Sequence, residues 1–219
     1  KGLFKAQTKP TKADIFIIAV PTPFKEKSNS YPIPNINYVL DAVESIIPFL
    51  KKDNLIILES TSPVGTTDEI AIQIFKKTQI KKNQLKIAYC PERVLPGNIL
   101  NEIKKNDRVI GGINTKSAIA AKEFYSTFCS GKFNLTNTKT AELVKLAENS
   151  FRDVNIAFAN ELSMICSELE IDSKNLIKIA NDHPRVNILN PGPGVGGHCI
   201  AVDPWFIVSK TPNQAKLIR

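Results

Sequence analysis

The sequence predicts an α/β protein in which part of a doubly wound parallel sheet is followed by a mostly helical region with one long helix. In the first half of the chain, compact apolar runs alternate with helical stretches. Continuous apolar strands separated by helices are typical of a parallel sheet that is covered on both faces. From Thr140 a helical pattern continues for about thirty residues. We therefore expect two domains, residues 1–136 and 137–219.

The predicted elements follow one another as successive strand–helix units. A strand at residues 14–20 stops at the P-T-P segment 21–23, because proline cannot donate to a central strand ladder. After it come a helix at about 37–50, a strand at 55–58, a helix at about 66–77, and strands at 86–90 and 108–111. Right-handed crossovers would join these strands into a parallel sheet.

Polar clusters follow three of these strands, at residues 21–23, 59–63 and 91–93. Ligands of open α/β sheets bind beyond the carboxyl ends of the strands. Each cluster alone could be a plain turn, but three at one edge indicate a ligand site. The strand, G-x-G-x-x-G, helix arrangement that opens dinucleotide-binding folds is missing, since residues 194–197 follow no strand and open no helix. Either the fold is of another kind, or its first βαβ unit precedes Lys1.

The long helical pattern runs from Thr140 to Glu170 and would span about 45 Å at about 1.5 Å per residue. Asp172 and Ser173 then supply a break and an N-cap for a short helix that ends near Asn181. A helix of this length is typical of a connection between domains or between subunits.

Glycines and prolines at residues 191–197 precede Cys199. Glycine costs backbone entropy in regular elements and proline lacks an N–H donor, so this run predicts a sharply shaped loop. Such a loop lets a ligand approach the backbone and presents the Cys199 thiol. A thiol in that setting is a candidate nucleophile when a neighbouring group stabilises its thiolate.

A polar stripe runs along the long helix, because Lys145, Asn149 and Arg152 are spaced i, i+4, i+7. Their neighbours are strongly apolar, so we expect these polar groups to lie in a buried helix and to need partners. One interpretation is a structural network with Glu142 or Glu148. The other is a pocket for an anionic or polyhydroxyl ligand, where a lysine could also stabilise a developing oxyanion.

Composition excludes several function classes. The formal net charge is +8 at pH 7, but the lysines lie mostly in pairs at element ends without interleaved aromatic residues, which argues against nucleic-acid binding. A solvated basic surface or anionic small-molecule ligands remain as explanations. No apolar run approaches the roughly 20 residues of a membrane span and no secretory signal is seen, so no membrane partner is expected. The chain begins with Lys1 rather than methionine, which suggests a piece of a longer protein.

The cysteine and histidine pattern predicts neither a disulfide framework nor a metal site. Cys90, Cys129, Cys166 and Cys199 are far apart and form no C-x-x-C. Cys129 and Cys166 are expected to be buried apolar residues, and a reducing cytoplasm fits this usage. A metal site built from His183, His198 and Cys199 has poor ligand spacing. His198 directly precedes Cys199, and adjacent side chains usually diverge, which argues against a cysteine–histidine catalytic pair.

Five motifs in series resemble those of the nucleotide-sugar 6-dehydrogenases. They are A-V-P-T-P-F at 19–24, E-S-T-S-P-V-G at 59–65, Y-C-P-E-R-V-L-P-G at 89–97, A-E-L-V-K-L-A-E-N-S-F-R-D-V-N at 141–155 and G-V-G-G-H-C-I-A-V-D-P-W-F at 194–206. The resemblance implies the later part of a Rossmann-like NAD-binding domain, residues 1–136, followed by a helical central domain, residues 137–219, whose long helix forms a homodimer. The glycine fingerprint and a C-terminal nucleotide-binding domain would then lie outside this chain.

The resemblance also implies a reaction, the oxidation of the C6 alcohol of a UDP-sugar to a carboxylate with two NAD⁺. Cys199 would trap the aldehyde as a thiohemiacetal, whose oxidation gives a thioester that water hydrolyses. Lys145 would stabilise the developing oxyanion or exchange protons, and Asn149 would help to bind that oxygen. Asp203 would position the water or act as a base, and Glu92 would belong to the same water network. Thr22 and Thr61 match the threonines beside the nicotinamide half of NAD. The positions that match those lining the sugar and diphosphate are Arg93, Val94, Lys145, Asn149, Arg152, His183, Arg185 and Gly196.

Two departures from the family pattern bear on the sugar. UDP-glucose enzymes of the family usually carry an acidic residue where Pro96 stands and a proline where Ala201 stands. We therefore expect an N-acetylated hexosamine of manno configuration, UDP-N-acetylmannosamine, with UDP-N-acetylglucosamine as the competitor. The product would be an acidic sugar for a cell-surface polysaccharide. If this chain is itself the natural product, it would instead be a catalytically inert dimerisation module.

Overall fold

A five-stranded sheet forms the centre of the first part of the chain. Its strands are β1 (Ile15–Ile18), β2 (Leu55–Leu58), β3 (Lys86–Tyr89), β4 (Arg108–Gly112) and β5 (Phe133–Asn137), and they lie side by side in that order. The computed structural model describes residues 3–25, 31–94, 97–197 and 199–218. The chain divides into two units, Lys1–Lys145 and Leu146–Arg219.

Helices cover both faces of the sheet, as the apolar strands predict. They are α1 (Asn37–Ile46) and α2 (Thr66–Lys77) on one face and α4 (Thr115–Ser126) on the other. A short helix without buried residues, α3 (Ile99–Lys105), precedes β4. All four residues of β2 are buried, because alternate side chains enter two different cores. Ile56 and Leu58 pack with α1 and α2, whereas Leu55 and Ile57 pack with α4.

The sheet is dominated by parallel pairs but is mixed. β1, β2 and β3 are mutually parallel, and β4 is parallel to β5. The predicted doubly wound parallel sheet is confirmed except for one pair, because β4 runs antiparallel to β3, with Tyr89 opposite Gly111. The segment after β3 re-enters the sheet at the edge where β3 ends and therefore makes no crossover. The elements α3, α4 and β5 are not among the predicted ones.

The long helix is present as α5 (Thr138–Glu168), with 31 residues. The predicted break and N-cap after it are confirmed, since the Asp172 carboxylate accepts from the N–H groups of Lys174 at 3.0 Å and Asn175 at 3.4 Å. The helix that Asp172 begins is α6 (Ser173–Ala180), and a further helix, α7 (Asp203–Lys210), follows the glycine-rich loop. In that loop, Gly194 and Gly197 have φ angles of +95° and +78°, a left-handed backbone that favours glycine.

None of the helices in the described ranges combines the length and the apolar character that a bilayer crossing requires.

Candidate active site

Two threonines meet at the carboxyl ends of β1 and β2. Thr22 Oγ1 donates to the carbonyl oxygen of Thr61 at 2.7 Å. Both residues are half-buried, and both sit in loops at the edge of the sheet where ligands of α/β proteins bind. The structure thus brings the two residues expected beside the cofactor into direct contact.

Ser60 holds these two loops together, a role that its sequence position did not reveal. Its Oγ accepts from the Val20 N–H at 2.8 Å and donates to the Val20 carbonyl oxygen at 2.7 Å. The last paired residues of β1 and β2 are Ile18 and Leu58. Beyond them, the Ser60 hydroxyl makes the hydrogen bonds to the Val20 backbone that a neighbouring strand would otherwise make. The sequence signal for this role was the polar cluster at residues 59–63, which follows a strand. That cluster does not show whether the Ser60 hydroxyl points into the fold or toward solvent.

The segment after β3 places Glu92, Arg93 and Val94 in a tight local arrangement. The Glu92 carboxylate accepts from the Val94 N–H. Arg93 Nη1 donates to the carbonyl oxygen of Asp107 at 3.0 Å, and the Arg93 carbonyl accepts from the Asn106 side chain at 3.2 Å. These bonds tie the segment to the start of β4. Pro96, which bears on the expected sugar, lies outside the described residues.

A buried polar cluster lies beneath this edge. Tyr125 donates from its hydroxyl to Glu59 Oε1 at 2.5 Å, and the Arg108 guanidinium lies 4.4 Å from the centre of the Tyr125 ring. Arg108 Nη1 is 3.8 Å from the Cys90 sulfur. Burial raises the pKa of the Cys90 thiol to about 11, in spite of the nearby guanidinium, so this thiol stays neutral at pH 7. Cys90 is therefore a structural residue and a poor nucleophile.

In the second unit, the Cys199 turn is bonded to the start of α7. The Cys199 carbonyl oxygen accepts from the N–H groups of Val202 at 3.0 Å and Asp203 at 2.9 Å. Asp203 is the first residue of α7, where the helix dipole favours a carboxylate. Asn149 Nδ2 donates to Asp203 Oδ2 at 2.6 Å, and both side chains are buried. The Cys199 side chain itself is exposed.

The remaining predicted site residues are more accessible. Lys145 is half-buried on α5, and Arg152 on the same helix is exposed. His183 and Arg185 lie exposed in the turn after α6, where His183 Nδ1 accepts from the Arg185 N–H at 3.3 Å. Gly196 is exposed as well. His198 lies outside the described residues.

The surroundings of the polar stripe differ from the expectation. Leu143 and Phe151 are 45% and 69% exposed, so the helix is not buried on every side as its composition predicts. Glu142 does not pair with the stripe: its carboxylate accepts from Gly65 and Thr67. α5 has buried apolar residues, among them Ala141, Leu146 and Ala159, as well as these exposed ones.

Cys129 and Cys166 are buried, at 5% and 1% exposure, as their apolar surroundings predict. Within the described ranges, no group of three or more His, Cys, Asp or Glu side chains is arranged to hold a metal ion.

Two family models match the chain. Residues 2–129 match the NAD binding domain of the UDP-glucose/GDP-mannose dehydrogenase family, and residues 139–218 match the central domain of that family.

Individual relatives are similar over nearly the whole chain. A UDP-N-acetyl-D-mannosamine dehydrogenase of Campylobacter jejuni is 54% identical over 100% of this chain and 55% of its own length. An NDP-N-acetyl-D-galactosaminuronic acid dehydrogenase of Ralstonia nicotianae is 51% identical over 100% of this chain and 53% of its own length. The solved structure of a UDP-D-ManNAc dehydrogenase from Pyrococcus horikoshii superimposes with a TM-score of 0.89 at 40% identity, covering 95% of this chain and 49% of that one. This chain spans about half the length of the curated relatives that it matches.

Proposed function

Because this chain belongs to the UDP-glucose/GDP-mannose dehydrogenase family, we propose that the protein of which it is part oxidises the C6 alcohol of UDP-N-acetyl-D-mannosamine to the carboxylate of UDP-N-acetyl-D-mannosaminuronate, with NAD⁺ as oxidant. The observation that carries the proposal is the environment of Cys199. Its thiol is exposed, its carbonyl is bonded to the backbone of Asp203, and Asn149 holds the Asp203 carboxylate at 2.6 Å. These bonds hold the Cys199 turn in place beside the Asp203 carboxylate, and a nucleophile and an acid that act together need such a fixed geometry.

Cys199 is the nucleophile of the proposed reaction. Loss of a hydride from C6 and a proton from its hydroxyl gives an aldehyde, and Cys199 Sγ adds to the aldehyde carbon while the thiol proton moves to the oxygen. A second loss of hydride and proton converts this thiohemiacetal to a thioester. Water then attacks the carbonyl carbon, the C–S bond breaks, and the carboxylate leaves while the sulfur regains a proton. The covalent bond keeps the aldehyde from escaping between the two oxidations.

Four polar residues have distinct roles in this scheme. The Lys145 ammonium stabilises the oxyanion or exchanges protons with the substrate oxygen. An amide nitrogen carries two N–H groups, so Asn149 can hold Asp203 and bind that oxygen at the same time. The carboxylates of Asp203 and Glu92 orient the attacking water.

Thr22 and Thr61 would hold the nicotinamide half of NAD⁺. Their half-buried position at the carboxyl ends of β1 and β2 fits a cofactor that enters at this edge of the sheet. When bound, NAD⁺ supplies the hydride acceptor for each of the two oxidations.

For the UDP-sugar, we assign a binding role to Arg93, Val94, Lys145, Asn149, Arg152, His183, Arg185 and Gly196. The exposed guanidinium groups of Arg152 and Arg185 suit a diphosphate, because each can donate two hydrogen bonds at once. The names of the relatives agree on an N-acetylated hexosamine but not on its configuration, since one names N-acetyl-D-mannosamine and another N-acetyl-D-galactosaminuronic acid. UDP-N-acetylglucosamine is accordingly the competing substrate.

The protein is also proposed to form a homodimer through α5. Phe151, Phe158 and Ile165 follow one another at seven-residue spacing and are 69%, 53% and 45% exposed. Residues seven apart share a helix face, so these side chains form an apolar stripe that a second copy of the helix can cover. Replacing Phe151 and Phe158 together by glutamate should convert a dimer to a monomer in a light-scattering measurement of mass. An unchanged mass would contradict this interface.

We infer three further properties from the same assignment. The domain boundary is proposed between residues 136 and 137, just before α5 begins. The protein is proposed to be cytoplasmic, which agrees with the free thiols at Cys90, Cys129, Cys166 and Cys199. Its product is proposed to serve a cell-surface polysaccharide.

The decisive experiment uses the full-length protein and counts NADH formed per sugar nucleotide. UDP-N-acetylmannosamine should give two NADH per molecule, whereas a Cys199→Ser variant should stall before the second oxidation. Faster turnover of UDP-N-acetylglucosamine would keep the mechanism and overturn the choice of epimer. Absence of NADH with both of these sugars and with UDP-glucose would overturn the dehydrogenase assignment.

The alternative function, a catalytically inert dimerisation module, applies if this chain acts alone. NAD⁺ titration of the 219-residue chain distinguishes the two cases. A chain that dimerises without binding NAD⁺ would favour the inert module.

A further inference from the structure

Glu142 is a charged residue with no exposed surface, near the start of α5. Its carboxylate accepts three hydrogen bonds, all from residues at the start of α2. Oε2 accepts from the Gly65 N–H at 2.6 Å, and Oε1 accepts from the N–H and the hydroxyl of Thr67 at 2.8 and 2.7 Å. Burial raises the pKa of this carboxyl, and the bonds from Thr67 and Gly65 oppose that shift.

The donors belong to the first turn of α2. The N-cap of α2 is Gly65, with φ of +97°, and it has no side chain with which to cap its own helix. Glu142 supplies the missing acceptor from 77 residues away and places a carboxylate at the positive end of the α2 dipole. The bond is therefore a long-range cap that joins α2 to α5.

A second contact one turn earlier fixes the same end of α5. Thr138 Oγ1 donates to Asp68 Oδ1 at 2.8 Å, again in the first turn of α2. The helix also lies close on β4: a Cβ built on Gly111 would stand 2.7 Å from the Ala141 Cβ and 2.8 Å from the Thr138 Cα. Four hydrogen bonds and one close backbone approach thus leave the first turns of α5 little freedom to rotate or slide.

The anchored segments carry residues assigned above to the reaction. Lys145 follows Glu142 by three residues on α5, so it lies within one turn of the anchor. Thr61 precedes Gly65 by four residues in a loop that is itself bonded, because Ser62 Oγ donates to the Ser60 carbonyl and Thr66 Oγ1 to the Pro63 carbonyl.

We propose that Glu142 is a positioning residue for Lys145, holding the start of α5 against the Thr61 loop so that the lysine keeps its place relative to the cofactor edge of the sheet. The inference rests on the proposed role of Lys145 in the dehydrogenase reaction. Glu142 touches no reacting atom in this scheme and acts only through the helix that it anchors.

The test is a double-mutant cycle in the full-length enzyme. Glu142→Gln keeps the shape of the side chain but replaces one acceptor oxygen by an NH₂ group that faces N–H donors. Single-turnover NADH formation at high enzyme concentration should fall tenfold or more, since displacements of about 1 Å can cost about 100-fold in rate. In a Lys145→Ala background the same substitution should change the rate less than twofold, because the positioned group is already gone.

Two further variants separate positioning from general destabilisation. Thr67→Val removes one of the three donors and should lower the rate in the same direction but less, which keeps the test valid if Glu142→Gln folds poorly. Ile74→Val removes core packing from α2 without touching the anchor, and it should lower the melting temperature and leave the rate within twofold of wild type.

An equal rate loss from Glu142→Gln in both lysine backgrounds would overturn the positioning role while leaving the dehydrogenase assignment intact. A more than twofold loss of rate in Ile74→Val, together with its lower melting temperature, would also overturn the positioning role. A wild-type enzyme that forms no NADH would overturn the proposed function, and this inference with it.

Discussion

The side-chain amide of Asn149 lies 2.6 Å from the Asp203 carboxylate, although 54 residues separate them in the sequence. Asn149 is on α5 and Asp203 opens α7, so the bond joins the long helix to the turn that carries Cys199. Both side chains are less than 8% exposed. A buried carboxylate is costly unless donors satisfy it, so this contact bears on the stability of the second unit as well as on its chemistry.

Replacing Asn149 by alanine should therefore lower both stability and rate. Removing one partner of a buried charge-assisted bond costs about 1–3 kcal/mol. Urea denaturation measures the first effect and NADH formation the second. Asn155→Ala is the matched control, because the Asn155 amide makes only a local, exposed bond to the Phe151 carbonyl at 2.6 Å. Equal losses from the two substitutions would contradict a special role for the Asn149 bond.

Native thiols should differ sharply in reactivity. Iodoacetamide at pH 7.5 should label Cys199 within minutes and leave the other three cysteines unmodified, because only Cys199 is exposed. Peptide mass spectrometry reads the site of each adduct. In denaturant all four should react, which controls for the reagent. Labelling of Cys90, Cys129 or Cys166 in the folded protein would show that the unit containing it opens readily.

Cys90 should make stability depend on pH in the alkaline range. Its pKa is raised by burial from the ordinary 9.0 to about 11. Between these values the unfolded chain loses a proton that the folded protein keeps, so the free energy of unfolding falls as pH rises. The loss should reach roughly 2–3 kcal/mol, at about 1.4 kcal/mol per pKa unit.

The measurement compares wild type with Cys90→Ala in urea at several pH values. The difference in unfolding free energy should be constant from pH 7 to 8 and should shrink from pH 9 to 11. A difference that is constant throughout would mean that the folded thiol titrates near its ordinary value.

Ser60→Ala should loosen the cofactor edge. The substitution leaves the N–H and the carbonyl of Val20 without their side-chain partner, which predicts a loss of about 1–3 kcal/mol and a raised KM for NAD⁺. Ser45→Ala is a suitable comparison, since the Ser45 hydroxyl bonds only to the Ala42 carbonyl on an exposed helix face. An unchanged KM for NAD⁺ in Ser60→Ala would show that the Thr22 and Thr61 loops keep their geometry without this bridge.

Much of the fold is predictable from local sequence, because the elements carry strong local signals. The run Leu55–Leu58 is apolar throughout and is buried throughout, and its bounds as a strand are those predicted. α2 also has the predicted bounds, Thr66–Lys77, with acidic residues in its first turn and lysines in its last. α5 begins two residues before the predicted start and ends two residues before the predicted end.

The weaker elements escaped prediction for physical reasons. β5 (Phe133–Asn137) has only two large apolar residues and no buried position, so its alternation is too faint to detect. α3 (Ile99–Lys105) has seven residues and no side-chain cap. Short elements of this kind depend on contacts with other parts of the same polypeptide rather than on their own local sequence.

The sequence by itself determined the order of the strongly patterned elements, the shaped loop before Cys199, the N-cap at Asp172 and the burial of Cys129 and Cys166. Those elements are β1, α1, β2, α2, β3, β4, α5 and α6. Each of these follows from residues within one or two turns of one another. The tertiary structure alone decided the antiparallel direction of β4, the bond between Asn149 and Asp203, and the capping of α2 by Glu142. The last two depend on which surfaces meet after the chain has folded back over 54 and 77 residues, and β4 pairs with β3 across the segment between Tyr89 and Gly111. Local periodicity does not encode which of these surfaces meet.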